Sequence, residues 1–66
     1  MQIVLNGQSK EIAEALTLEG LLKSLELETA HVAVELNKEI VTKTTFSSTS
    51  LKTGDEVEVV HFVGGG

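Results

Sequence analysis

Apolar positions along this 66-residue chain follow two rhythms. One alternates. In "HVAVEL", Val32, Val34 and Leu36 fall on one side of an extended backbone, and His31, Ala33 and Glu35 on the other. The segment Glu56 to Phe62 alternates in the same way, with Val57 and Val59 opposed to Glu56 and Glu58. Both stretches predict strands with one buried face. The other rhythm is helical. In "TLEGLLKSLEL", Leu18, Leu21, Leu22 and Leu25 recur at i, i+3, i+4 and i+7, a single apolar stripe. Thr17 is suited to cap that helix, and Glu19 lies in its first turn, where a carboxylate is favoured. Gly20 weakens the helix by about 1 kcal/mol relative to Ala.

Punctuation supplies the remaining elements. Met1 to Leu5 is apolar and β-branched, and Asn6-Gly7 follows it, a strong two-residue hairpin signal. "QSKEI" then reads as a returning edge strand ending at Ile12, its charges discouraging pairing with other chains. Asn37-Lys38 is a weaker turn signal, followed by a short return strand "EIV". "TKTTFSSTS" reads as a loop anchored by Phe46, and Gly54-Asp55 turns the chain into its last strand. The order strand, strand, helix, strand, short strand, strand predicts an α+β fold: one mixed sheet with a single main helix packed on one face. The helix stripe is expected to pack on Ile3, Leu5, Val32, Val34, Leu36, Val57 and Val59. One domain is expected over residues 1–66, with a flexible tail at 64–66.

Composition narrows the function classes. There is no Cys, so neither a disulfide nor a thiolate metal site is available. The net charge is -5 and every basic residue is Lys, which argues against nucleic acid and suits a basic partner. No apolar run approaches the ~20 residues of a membrane span. "MQIVLNG" lacks the basic region that opens a signal peptide, so the cytoplasm is the expected location. Asp55, Glu56 and Glu58 read as a solvated strand face rather than a catalytic carboxylate pair, which would need a cleft. His31 and His61 would require further ligands to hold a metal. Neither a phosphate loop nor a nucleophile elbow is present. No catalytic residue, cofactor or metal is expected.

The chain closes on "HFVGGG". Glycine loses more conformational freedom on ordering than any other residue, so three in a row after an apolar strand are not built to pack. A carboxylate in water is a poor acyl donor. Converted to a mixed anhydride it becomes reactive, and it must then be shielded from water inside another protein's site. A tail without Cβ atoms can thread a narrow channel to such a site. With no Cys, the chain has no thiol of its own to carry a transferable group, which leaves the C-terminal carboxylate. A frayed, inert end is the alternative.

Taken together, the hairpin at "NG", the amphipathic helix, the "LKTGDEVEV" approach to the last strand and the terminal diglycine resemble the ubiquitin-like β-grasp fold. The length and the ending "VVHFVGGG" are most similar to the bacterial sulfur-carrier family of thiamine biosynthesis, ThiS. That resemblance covers the whole chain and implies a protein that is not an enzyme. Its terminal Gly66 would be adenylated by an ATP-dependent activating enzyme and converted to a thiocarboxylate by a sulfur donor protein. The sulfur would then pass to thiazole synthase. Gly66 would be the attachment point, while Gly64 and Gly65 would enter the partner's active site. The molybdopterin-pathway sulfur carriers resemble the chain in fold and diglycine but are usually longer. A ubiquitin-like modifier that conjugates to lysine uses the same activation, and an interaction module with an inert tail stays open.

Strand parity suggests where a partner docks. If the last strand stays regular, Val60 and Phe62 share the outward face with Glu56 and Glu58. Val4 and Ala33 have the same outward parity. The four would form an exposed apolar patch beside the tail, of the kind that marks protein interfaces. A β-bulge near Val60 would instead turn Phe62 inward.

Overall fold

The computed structural model describes residues 1–62, so Gly64, Gly65 and Gly66, with the roles expected of them, lie outside the described residues. Five strands form one sheet: β1 (Gln2–Leu5), β2 (Gln8–Glu11), β3 (Val32–Leu36), β4 (Glu39–Val41) and β5 (Glu56–His61). Their order across the sheet is β2-β1-β5-β3-β4. β5 therefore lies at the centre, parallel to β1 and antiparallel to β3, and the sheet is mixed. The helix α1 (Leu18–Ser24) packs against one face. This is the β-grasp arrangement expected from the sequence.

Both hairpins turn on residues with positive φ. Asn6 and Gly7 stand at +49° and +81°, Asn37 and Lys38 at +51° and +71°. Both central residues are thus left-handed, the geometry that a type I′ turn requires and that Asn tolerates better than most residues. The weaker signal at Asn37-Lys38 forms the same kind of turn as the stronger one.

At the N-terminus of α1 the Thr17 hydroxyl accepts a hydrogen bond from the Gly20 N–H at 3.0 Å. Gly20 has a packing reason to be there: a Cβ would stand 2.7 Å from Leu16 Cδ1, which folds over the first turn. The helix start is stitched to the approach to β5, with Leu18 N–H donating to the Thr49 carbonyl at 2.9 Å and Leu51 N–H to the Leu16 carbonyl at 2.8 Å. At the other end the Leu27 N–H reaches the Leu22 carbonyl and the Glu26 N–H the Lys23 carbonyl, both at 3.0 Å. That is a Schellman closure, with Glu26 at φ +61° where glycine is the usual residue.

The buried core comprises Ile3, Ile12, Leu18, Leu21, Leu22, Val32, Val34, Phe46, Leu51 and Val57. Leu5, Leu25, Leu36 and Val59, expected inside, are half-buried at its margin. Leu25 falls there because the helix ends at Ser24 and Leu25 is already its C-cap. The Thr- and Ser-rich segment is not an open loop. Lys43–Ser48 forms a 3-10 helix whose turns are closed by side chains, with the Thr45 hydroxyl donating to the Thr42 carbonyl and the Ser48 hydroxyl to the Thr45 carbonyl. This winding carries Phe46 into the core, where it is 2% exposed.

Candidate docking face and tail junction

β5 is regular. Its pairing with β3 runs without interruption from Leu36↔Val57 to Val32↔His61. The Phe62 N–H continues the ladder, donating to the His31 carbonyl at 2.7 Å. No bulge interrupts parity here. Val57 is buried and Val59 half-buried, whereas Val60 is 56% and Phe62 53% exposed. Ala33, also exposed, stands directly opposite Val60. The outward face of the sheet at its tail end thus brings Ala33, Val60 and Phe62 together.

Val4 does not join them. Its outward parity is as expected, but it pairs with Glu56. At about 3.3 Å per strand residue, that level lies roughly 13 Å before Val60. It is half-buried. The reason is register: β1 meets β5 only at Glu56 and Val57, the start of the strand.

Ile40, missed in the sequence, is the most exposed large apolar side chain among the described residues, at 78%. It pairs with Glu35, so it stands on the outward face of β4. The signal was there: a two-residue turn at Asn37-Lys38 fixes the register, and Ile40 then falls outside.

Where β3 and β5 form this face, its charged residues are acidic. Glu35 and Glu58 are direct cross-strand partners, an arrangement of like charges that destabilises a sheet. Glu56 shares their parity on β5. None of the five lysines occupies an outward strand position: Lys10 pairs with core-facing Ile3, Lys23 is on α1, Lys38 is in a turn, Lys43 donates to the Ala30 carbonyl, and Lys52 precedes β5. The two histidines do not converge. His61 opposes inward-facing Val32 and His31 has the other parity; the His31 imidazole lies 3.7 Å from Glu28.

Two asparagines grip β5 from the flanking turns. The Val59 N–H donates to Asn6 Oδ1 at 2.8 Å, and Asn6 Nδ2 donates to the Val59 carbonyl at 3.3 Å. On the other side the Glu56 N–H donates to Asn37 Oδ1 at 2.9 Å, while Asn37 Nδ2 reaches Asp55 Oδ1 at 3.1 Å. Asp55 is thereby engaged in the turn, its Oδ2 also accepting from the Lys52 N–H at 2.8 Å.

The geometry describes a sheet whose central strand β5 carries an apolar and acidic outward face and precedes the glycine tail in sequence. A family model described as "ThiS family" matches residues 3–66. The chain is 48% identical over 50 residues to the sulfur carrier protein ThiS of Bacillus subtilis, covering 76% of each. It is 46% identical over 66 residues to a thiazole synthase of Magnetococcus marinus. The chain spans only 20% of the length of the thiazole synthases it matches. In structure it is similar to the thiamine biosynthesis protein ThiS of Geobacter metallireducens, with a TM-score of 0.85 and 38% identity over the whole of both chains.

Proposed function

Because the chain belongs to the ThiS family, we propose that it is a sulfur carrier of thiamine biosynthesis that acts through the carboxylate of Gly66. The observation that carries this reading is the junction. The tail follows the central strand of the sheet in sequence, and the last described residue, Phe62, still donates its N–H to the His31 carbonyl, one residue before β3.

The chemistry proceeds in two displacements. A Gly66 carboxylate oxygen attacks the α-phosphorus of ATP on an activating enzyme; pyrophosphate leaves and an acyl-adenylate forms. Sulfide, delivered by a sulfur donor protein, attacks the carbonyl carbon. The C–S bond forms, the C–O bond to AMP breaks, and one sulfur has replaced one oxygen. The carrier is a co-substrate, not an enzyme. Gly64 and Gly65 occupy the activating enzyme's channel while this happens. Thiazole synthase is the sulfur acceptor in this reading. Its support is that a region similar to the whole of this chain lies within proteins of that name. The cytoplasm, where ATP is available to the activation step, is the proposed location.

The test is an intact mass after incubation with ATP, sulfide and the activating enzyme. One S-for-O replacement is the expected gain. Conjugates to lysine would make the protein a modifier instead, and an unchanged mass would make the tail inert.

The face holding Ala33, Val60 and Phe62, with Ile40 at its far side, docks the activating enzyme in this reading, and the acidic row steers a basic surface towards it. Phe62→Ala is expected to weaken binding by more than about 1 kcal/mol, the level of a hot-spot residue, with the melting curve unchanged. Glu58→Lys replaces a like-charge pair by an attractive one. It is expected to raise the melting temperature while weakening binding, measured by calorimetry. A Phe62→Ala protein that melts early and binds normally would remove the face from the account.

A further inference from the structure

The two neighbours of β5 support it unequally. β3 runs beside it from Val57 to His61. β1 pairs with it only at Glu56 and Val57, then leaves the sheet at the Asn6-Gly7 turn. The last backbone bond on that side is Asn6 N–H to the Val57 carbonyl, at 2.9 Å. Val59 is the next residue whose N–H and carbonyl face the side that β1 has left. Both are met by one side chain: Asn6 Oδ1 accepts from its N–H and Asn6 Nδ2 donates to its carbonyl. An amide has the donor and acceptor of a peptide group. The Asn6 side chain therefore stands in for the next residue of β1.

We propose that Asn6 is a positioning residue for the carrier reaction: its amide substitutes for the missing strand and holds the distal half of β5, and so Val60 and Phe62, in register. This rests on the function proposed above. The left-handed φ of Asn6 makes the arrangement available, because it turns the backbone away while the side chain continues along the sheet. Asn37 is the natural comparison. It sits at a similar φ and also accepts from a β5 N–H, but at Glu56, where β1 already supports the strand.

Asn6→Gly keeps the left-handed turn and removes the amide; Asn37→Gly does the same at the other end. Steady-state pyrophosphate release by the activating enzyme, with the carrier as varied substrate, gives KM and kcat. Asn6→Gly is expected to raise KM roughly tenfold, two modest hydrogen bonds' worth of ordering, with kcat little changed and Asn37→Gly near wild type. Asn6→Asp, which keeps the acceptor and loses the donor, is expected to fall between Asn6→Gly and wild type. Amide exchange supplies a second readout. In Asn6→Gly the Phe62 N–H, which donates to His31 and never touches Asn6, is expected to exchange faster. An unchanged KM, or equal rises in both glycine variants, overturns the proposal. If the wild type is not activated at all, the function reading falls, and exchange alone decides about Asn6. Faster exchange at Phe62 supports the clamp, and acceleration confined to Val59 overturns it.

Discussion

Deletion of Gly66 is expected to abolish the S-for-O mass gain and to leave the melting temperature nearly unchanged. The two halves of that result have separate origins. The stability half follows from the core, whose last fully buried member is Val57. The activity half follows from geometry at the reacting carbon. Without Gly66, the carboxylate belongs to Gly65 and stops one residue short of the ATP α-phosphorus. A misplacement of about 1 Å can cost 10²-fold in rate, and one extended residue is about 3.3 Å. Gly65→Val preserves the length and tests the other requirement. A β-branched side chain stiffens the tail and needs room in a channel that must exclude water. Its activation rate is expected to drop by about 10²-fold or more. Circular dichroism melts and intact mass, run on the same samples, separate the two halves. A Gly66-deleted protein that still gains sulfur would end the carrier reading.

The sequence was informative where one local rule decided the outcome. Parity placed Val57 inside and Phe62 outside because β5 runs without a bulge. The 3.6-residue stripe placed Leu18, Leu21 and Leu22 in the core because a helix lying on a sheet buries one apolar stripe. What was illegible depended on register between distant segments. Val4 has the outward parity read from its strand, yet the short β1–β5 overlap puts Glu56 beside it rather than Val60. The burial of Ile12 and Leu51 is likewise tertiary: Ile12 is tied to the first residue by its N–H, which donates to the Met1 carbonyl, and Leu51 to the helix start. The 3-10 winding of Lys43–Ser48 was hidden by Thr and Ser residues, which favour turns by bonding to nearby backbone. Here those same bonds close the helical turns. Asn6 signalled its turn through the Asn-Gly dipeptide, but its grip on Val59 spans 53 residues of sequence.

Leu22→Ala is expected to be largely unfolded at 37 °C, the largest stability effect of any change considered. Leu22 is 0% exposed, at the centre of the stripe between α1 and the sheet. Truncating such a side chain costs about 2–5 kcal/mol, the lost transfer energy plus the cavity left behind. The better helix propensity of Ala returns only a few tenths of that. A core this small rarely supplies more than about 3–5 kcal/mol in total, and there is no disulfide to make up the difference. The backbone role of Leu22 is untouched, since its carbonyl accepts from Leu25 and Leu27 whatever its side chain. The loss therefore reports packing alone. Leu25→Ala serves as the internal scale. Leu25 is half-buried at the C-cap, so a smaller drop in melting temperature is expected from the same chemical change. Cooling provides the final distinction from the tail variants. At a temperature where Leu22→Ala refolds, its tail and docking face are intact and sulfur loading should return, whereas the Gly66 deletion stays inactive at every temperature. Melting curves that are the same for Leu22→Ala and the wild type would mean that the stripe does not build the core.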